Sequence, residues 1–161
     1  MTREEYNKCV DLHADGLYRF ILKSVRDKDK AKDIVQDTFE KVWLKVDEID
    51  AAKSKSYLFT TGYRTMIDFI RRDNKQQSID TIETSMFETS SNYSDLKDVL
   101  NKALTILPEI QRTVLLLRDY EGYNYQEIGE ITNLSESQVK VYIFRARLAL
   151  KEFIGKMEVV L

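Results

Sequence analysis

Residues Leu107 to Leu150 read LPEIQRTVLLLRDYEGYNYQEIGEITNLSESQVKVYIFRARLAL, and this stretch decides the architecture of the chain. Pro108 suits the first turn of a helix, where its missing N–H goes unused. Val114, Leu115 and Leu117 then supply an apolar face that stops at Gly122. Asn124 and Glu127, three apart, have the spacing of a capping box at the head of a short helix carrying Ile128 and Ile131. Ser135 and Gln138 repeat that spacing before a third helix, expected from Glu136 to about Phe153. A short helix, a tight turn and a second capped helix form the arrangement that lays a helix in the DNA major groove.

An ordinary helical hairpin with no nucleic-acid role fits the same caps. The side chains of the third helix favour the DNA reading. Val139, Ile143, Ala146 and Leu150 recur every three or four residues and form the packed stripe. Gln138, Lys140, Val141, Tyr142, Arg145 and Arg147 are left on the open faces. From Leu134 onward, five basic residues (Lys140, Arg145, Arg147, Lys151, Lys156) stand against three acidic ones (Glu136, Glu152, Glu158). Gly129 sits inside the short helix, where glycine costs about 1 kcal/mol relative to alanine. Close approach of another helix is the expected reason.

The same residues resemble the C-terminal promoter-reading domain of the extracytoplasmic-function (ECF) sigma factors of RNA polymerase. The likeness lies in the leucine–proline start, Gln111–Arg112, the EGYNYQEI run, Val139–Lys140 and the Arg145–Ala146–Arg147 triplet. A second segment, LYRFILKSVRDKDKAKDIVQDTFEKVWLKV, resembles the polymerase-binding helices of that family. Its pattern falls on Asp33, Gln36, Asp37, Phe39 and Trp43. A third, KSYLFTTGYRTMIDFIRR, ending at Arg72, resembles the helices that melt and read the minus-ten element. The resemblance runs from about residue 6 to about residue 153, with its segments in family order.

That resemblance implies an all-α fold of two small helical domains joined by a flexible linker, the second a helix-turn-helix. Residues 1–75 would bind core RNA polymerase and capture the minus-ten element, and residues 97–161 would read the minus-thirty-five element. Asp33, Gln36, Asp37 and Glu40 share the polar face of one helix, and the resemblance makes that face the core polymerase-binding surface. Their acidic and amide groups suit arginines on a partner. Trp43 fits either the core or this interface, and we place it in the core. Ile34, Val35, Phe39, Val42 and Val46 are expected to form the buried stripe, with Asp27 or Asp29 as the cap.

On the helix from about Ser54 to Arg72, Leu58, Met66, Ile67 and Ile70 can pack inward. Tyr57, Tyr63, Asp68, Arg71, Arg72 and the following Lys75 are the minus-ten-side candidates. Arginine and lysine would hold phosphates with salt-dependent, sequence-blind affinity. The tyrosines can stack on unpaired bases or simply cover the core. Here the chain departs from the family. Where ECF factors usually read Ile-Ala-Arg-Asn, it has Thr61, Gly62, Tyr63 and Arg64, so that pair's base contacts are not carried over. Asp68 and Arg71–Arg72 do match. For the upstream element the candidates are Gln138, Lys140, Val141, Tyr142, Arg145 and Arg147, the apolar ones suited to thymine methyls or to an inhibitor.

Between the halves, residues 76–96 are rich in Ser and Thr, with Ile79, Ile82, Met86 and Phe87 scattered rather than periodic. That is linker chemistry, with too little apolar surface to repay the entropy of ordering. The composition agrees: 161 residues, 43% hydrophobic, one proline and five glycines favour a helical globular protein. A net charge of −2 hides an uneven distribution. Residues 53–75 hold six basic against two acidic residues, whereas residues 1–50 hold ten against twelve.

Cys9 is the lone cysteine and His13 the lone histidine, too few for a zinc site, so packing is expected of both and no metal or other cofactor. No Gly-rich phosphate loop and no nucleophile beside a base suggests an enzyme. The N-terminus lacks a signal pattern and no run approaches the ~18 apolar residues of a membrane span. A soluble cytoplasmic chain with no membrane insertion is expected. The resemblance gives its partners as core RNA polymerase, promoter DNA and an anti-sigma factor. Two alternatives stay open: a conventional regulator that binds DNA without polymerase, and a sigma-like decoy that only sequesters a partner.

Overall fold

A computed structural model describes residues 1–77 and 95–160. Ile79, Ile82, Met86 and Phe87 lie outside the described residues. The elements are α1 (Arg3–Val25), α2 (Lys28–Leu44), α3 (Ser54–Gln77), α4 (Asp95–Ile106), α5 (Glu109–Leu115), α6 (Tyr125–Thr132) and α7 (Glu136–Val160). Two short 3-10 turns, Val46–Glu48 and Ala51–Lys53, link α2 to α3. There is no strand among the described residues.

In the first half α1, α2 and α3 pack side by side around Leu17, Phe20, Ile21, Ile34, Leu58 and Met66, all essentially inaccessible. Asp27 starts α2 by accepting from the N–H groups of Asp29 and Lys30, one of the two expected caps. The buried stripe of α2 is Ala31, Ile34, Thr38 and Val42, whereas Val35, Phe39 and Val46 are only half-buried. The stripe is therefore rotated from the expected one, and Trp43 turns out of the core at 44% exposure, its ring on Tyr6 at 4.9 Å. Helix α3 runs five residues past the expected end at Arg72. Lys30 Nζ anchors that extension on Asp73 at 2.7 Å. Residues 76–77, read as linker, are helical.

Gly62 explains the tight packing of α3. A β-carbon there would stand 2.7 Å from Leu17 Cδ1 and 3.5 Å from Thr38 Cγ2, so only a very small residue lets α3 lie this close to α1 and α2.

In the second half α7 packs on α4, α5 and α6. Pro108 stands as the residue capping α5, and a π-helical turn, Leu116–Tyr120, carries the chain on to Gly122, whose φ of +75° suits glycine. The capping box of α6 is present in both directions: Glu127 N–H donates to Asn124 Oδ1 and Asn124 N–H to Glu127 Oε1. Ser135 and Gln138 repeat it ahead of α7 at 2.9 and 3.1 Å. Asn133, in the left-handed region at φ 60°, closes α6. Gly129 has a different reason from the expected one. Its missing β-carbon would lie 2.7 Å from the carbonyl oxygen of Leu134, so the turn backbone, not another helix, forbids a side chain.

The halves meet along one continuous core. Tyr123, 3% exposed, leaves the α5–α6 turn and sets its ring edge-on to Phe59 of α3 at 5.4 Å; Phe59 in turn meets Phe20 of α1 at 5.9 Å. Its hydroxyl donates to the Lys55 carbonyl, while Lys55 Nζ lies 4.6 Å over the ring and donates to the Glu121 carbonyl. Burial raises the Tyr123 hydroxyl well above its ordinary pKa, with Glu121 and Glu127 adding to the effect. The second half is thus pinned to the first by an aromatic side chain.

Candidate nucleic-acid and partner interfaces

The packed stripe of α7 is the expected one at Val139, Ile143 and Ala146, with Leu150 half-buried at its end. The remaining faces carry Gln138, Lys140, Val141, Arg145 and Arg147 exposed, and Tyr142 half-buried against the core. These residues are therefore available on an outward helix whose N-terminus is held by the Ser135–Gln138 box. Arg147 is already engaged: it donates from Nη2 to Asp119 Oδ1 at 2.6 Å, and that bond holds its pKa above the ordinary value. Lys140 makes a loose pair with Glu136 at 3.8 Å, both ends well exposed. Such an exposed pair contributes little and yields readily to a phosphate. Arg145, exposed, forms no ion pair among the described residues.

A row of large apolar side chains shares this surface. Val141, Phe144 and Leu148 are 45%, 67% and 47% exposed at a spacing of three and four residues. The sequence offered Val141 for apolar contacts but did not single out Leu148.

On α3, Tyr57, Arg64, Asp68, Arg71, Arg72 and Lys75 fall near one line of the helix surface. Tyr57 is half-buried and the others are exposed. Tyr63 lies off that line, about a third of a turn away. It is half-buried, and its hydroxyl pKa is raised by burial and by Glu109 of α5. Tyr63 thus faces the junction between the halves, and Arg64 lies on the open row.

Asp33, Gln36, Asp37 and Glu40 are brought together on one wall of a cleft whose other wall is α3, with Thr65, Phe69 and Arg72. Arg72 therefore belongs to this cleft as much as to the α3 row. Next to it is a mostly apolar hollow formed by Tyr6, Val10, Phe39 and Trp43, with Gln36 and Glu40 on its rim. The polar quartet thus borders an aromatic patch, the arrangement of an apolar interface centre with a polar rim. Tyr6 gave no sequence signal. Its hydroxyl donates to the Phe39 carbonyl at 3.1 Å, which fixes the ring under Trp43.

Cys9 is buried and its thiol pKa is raised by that burial. His13 is half-buried and lowered by burial and by Lys55. Among the described residues no group of three or more His, Cys, Asp or Glu side chains is placed to hold a metal ion. Nor is any helix long and apolar enough to cross a membrane.

Two patterns of the sigma-70 family match the chain: region 2 over residues 9–76 and region 4 over residues 97–150. The ECF RNA polymerase sigma factor SigM of Bacillus subtilis is 32% identical over 150 residues, covering 90% of this chain and 92% of that protein. This chain belongs to the ECF sigma factors. RNA polymerase sigma factor SigV of the same organism is 33% identical over 140 residues, covering 86% and 84% of the two chains. Among solved structures, the sigma factor RpoE of Bartonella quintana, crystallised with the anti-sigma factor NepR, superposes with a TM-score of 0.81 at 26% identity. That match spans 94% of this chain and 98% of RpoE. As an ECF sigma factor, the chain directs transcription initiation by core RNA polymerase.

Proposed function

We propose a division of labour among the surfaces of this sigma factor. Residues 1–75 act as the region 2 domain, residues 76–96 as linker, and residues 97–161 as the region 4 domain. The cleft wall of Asp33, Gln36, Asp37 and Glu40, together with the Tyr6–Trp43 hollow, docks on core polymerase. On α3, Tyr57, Tyr63, Asp68, Arg71, Arg72 and Lys75 serve the minus-ten element, Tyr63 only once the junction opens. On α7, Gln138, Lys140, Val141, Tyr142, Arg145 and Arg147 serve the upstream element, with Arg145 as the principal base or phosphate contact. The observation that carries this reading is the outward, amide- and cation-bearing face of α7 on a doubly capped helix-turn-helix.

The chain supplies binding energy and position, and the phosphodiester chemistry stays with the polymerase. It works in the cytoplasm, where polymerase and promoters are. An anti-sigma factor restrains it, and the exposed row of Val141, Phe144 and Leu148 offers such a partner an apolar helix face.

Run-off transcription with purified core polymerase on a pool of genomic upstream fragments tests the reading. Discrete transcripts preceded by two spaced elements, appearing only with this chain, are expected. Core binding without transcripts would mean a decoy, and duplex binding without core association a conventional regulator.

A further inference from the structure

The Ser135–Gln138 box starts α7, and it also decides which part of the Gln138 side chain is left for DNA. Gln138 is the third residue of α7 and is exposed, on the turn whose side chains meet base edges when a recognition helix enters the groove. Its amide oxygen accepts the Ser135 N–H at 2.9 Å, and its own backbone N–H donates to Ser135 Oγ at 3.1 Å. Chemistry fixes which amide atom faces the chain. A backbone N–H bonds only an acceptor, so the oxygen is on Ser135 and the NH2 group occupies the other branch. Neither hydrogen of that NH2 group has a partner among the described residues.

An unrestrained glutamine pairs with adenine through both amide atoms, accepting from N6 and donating to N7. In this chain the oxygen is already engaged, and the amide plane is set by the box instead of by a base. Turning the oxygen to a base would strand the Ser135 N–H, one of the donors that a helix start leaves without an intrahelical partner. Other side chains on the outer faces do not restore an acceptor. Lys140, Arg145 and Arg147 only donate, and the Glu136 carboxylate is paired with Lys140 at 3.8 Å.

We infer that Gln138 meets the upstream element as a donor alone, and so selects guanine over adenine at the base it faces. Guanine presents O6 and N7, both acceptors, to the major groove. Adenine presents an NH2 donor beside N7, which would oppose the NH2 of Gln138. The same two hydrogen bonds thus set the helix start and the base preference. This inference rests on the proposed use of α7 at the upstream element.

Selection by holoenzyme containing the full chain tests it, on a promoter recovered by run-off transcription with its upstream element randomised. One position is expected to favour guanine over adenine by roughly tenfold, and Gln138→Ala should abolish that preference. Gln138→Glu keeps one oxygen for the box and turns another to the base, so the same position should move to cytosine, whose N4 donates. Ser135→Pro removes the N–H that holds the amide oxygen, and should move the position toward adenine. Circular dichroism identifies a Ser135→Pro chain that fails to fold, and the two Gln138 substitutions then decide alone. Adenine selected by the unaltered chain, and lost in Gln138→Ala, would overturn the inference. So would a base preference that neither Gln138 substitution moves while Arg145→Ala weakens the upstream footprint. A footprint unchanged by all three substitutions would instead remove α7 from the upstream element, and the inference with it.

Discussion

The outer face of α7 and the α5–α6 turn belong to one helix-turn-helix, yet one is left open and the other is buried. Gln138, Lys140 and Arg145 stand in solvent, while Tyr123, fifteen residues before Gln138, is sealed against Phe59 and Lys55 of the first half. The difference separates two tasks within a small motif. Recognition needs side chains with room to reach a groove, and the turn gives the domain a fixed place against its neighbour. On the proposed division of labour the two halves grip separated promoter elements, which requires the Tyr123 contact to be reversible.

The sharpest way to break this comparison is at the turn. Tyr123→Ala removes a buried aromatic ring, a change that typically costs about 3–5 kcal/mol. The loss should fall on the junction and leave the helices intact, so small-angle scattering should show a larger radius of gyration at unchanged circular dichroism. Loss of helicity would mean that the halves do not fold apart. At the open face, Arg145→Ala should weaken the upstream footprint by roughly 1–3 kcal/mol, leaving core binding untouched. A third contrast lies between α7 and α2. Asp33→Ala or Gln36→Ala should reduce affinity for core polymerase by about 1 kcal/mol each, and leave the upstream footprint of preformed holoenzyme unchanged.

Charge at the junction sharpens the picture further. Burial lifts the Glu121 carboxyl above its ordinary value, against the pull of Arg19 and Lys55. Its protonated form is therefore favoured when packed. That contribution is complete below the ordinary value of 4.5 and is lost as pH rises through the raised one. Glu121→Gln should accordingly tighten the junction at neutral pH and flatten its pH dependence, as read by scattering between pH 4 and about pH 8. The smallest effect belongs to Asp119→Ala. Releasing Arg147 costs about 0.2–1 kcal/mol of stability. If the arginine then reaches a phosphate, the salt dependence of promoter binding should steepen by about 0.9 in slope.

What could be read from the sequence follows the range of the interactions. The Asn124–Glu127 and Ser135–Gln138 boxes span three residues, and the Val139–Ile143–Ala146 stripe spans two turns, so local spacing reveals them. Tyr123 gave no such signal, because its partners Phe59 and Lys55 lie more than sixty residues away. Trp43 was placed on the wrong side of α2, since neighbours on a helix differ by about 100° and a mixed apolar stripe leaves that much freedom. The real stripe passes through Ala31 and Thr38, neither of which announces itself as core. Gly129 was rightly singled out, but its neighbour is the Leu134 carbonyl of its own turn. The polar quartet on α2 was legible as a helix face. Its apolar companion was not, because Tyr6 comes from another helix.

Energy transfer between one dye on α2 and another on α7 measures the junction directly, first in the free chain and then with core polymerase on a promoter. The account predicts high transfer in the free chain, reduced by Tyr123→Ala, and low transfer in the initiation complex. Equal transfer in both states would contradict it, because the Tyr123 contact would then be a permanent feature of the working factor.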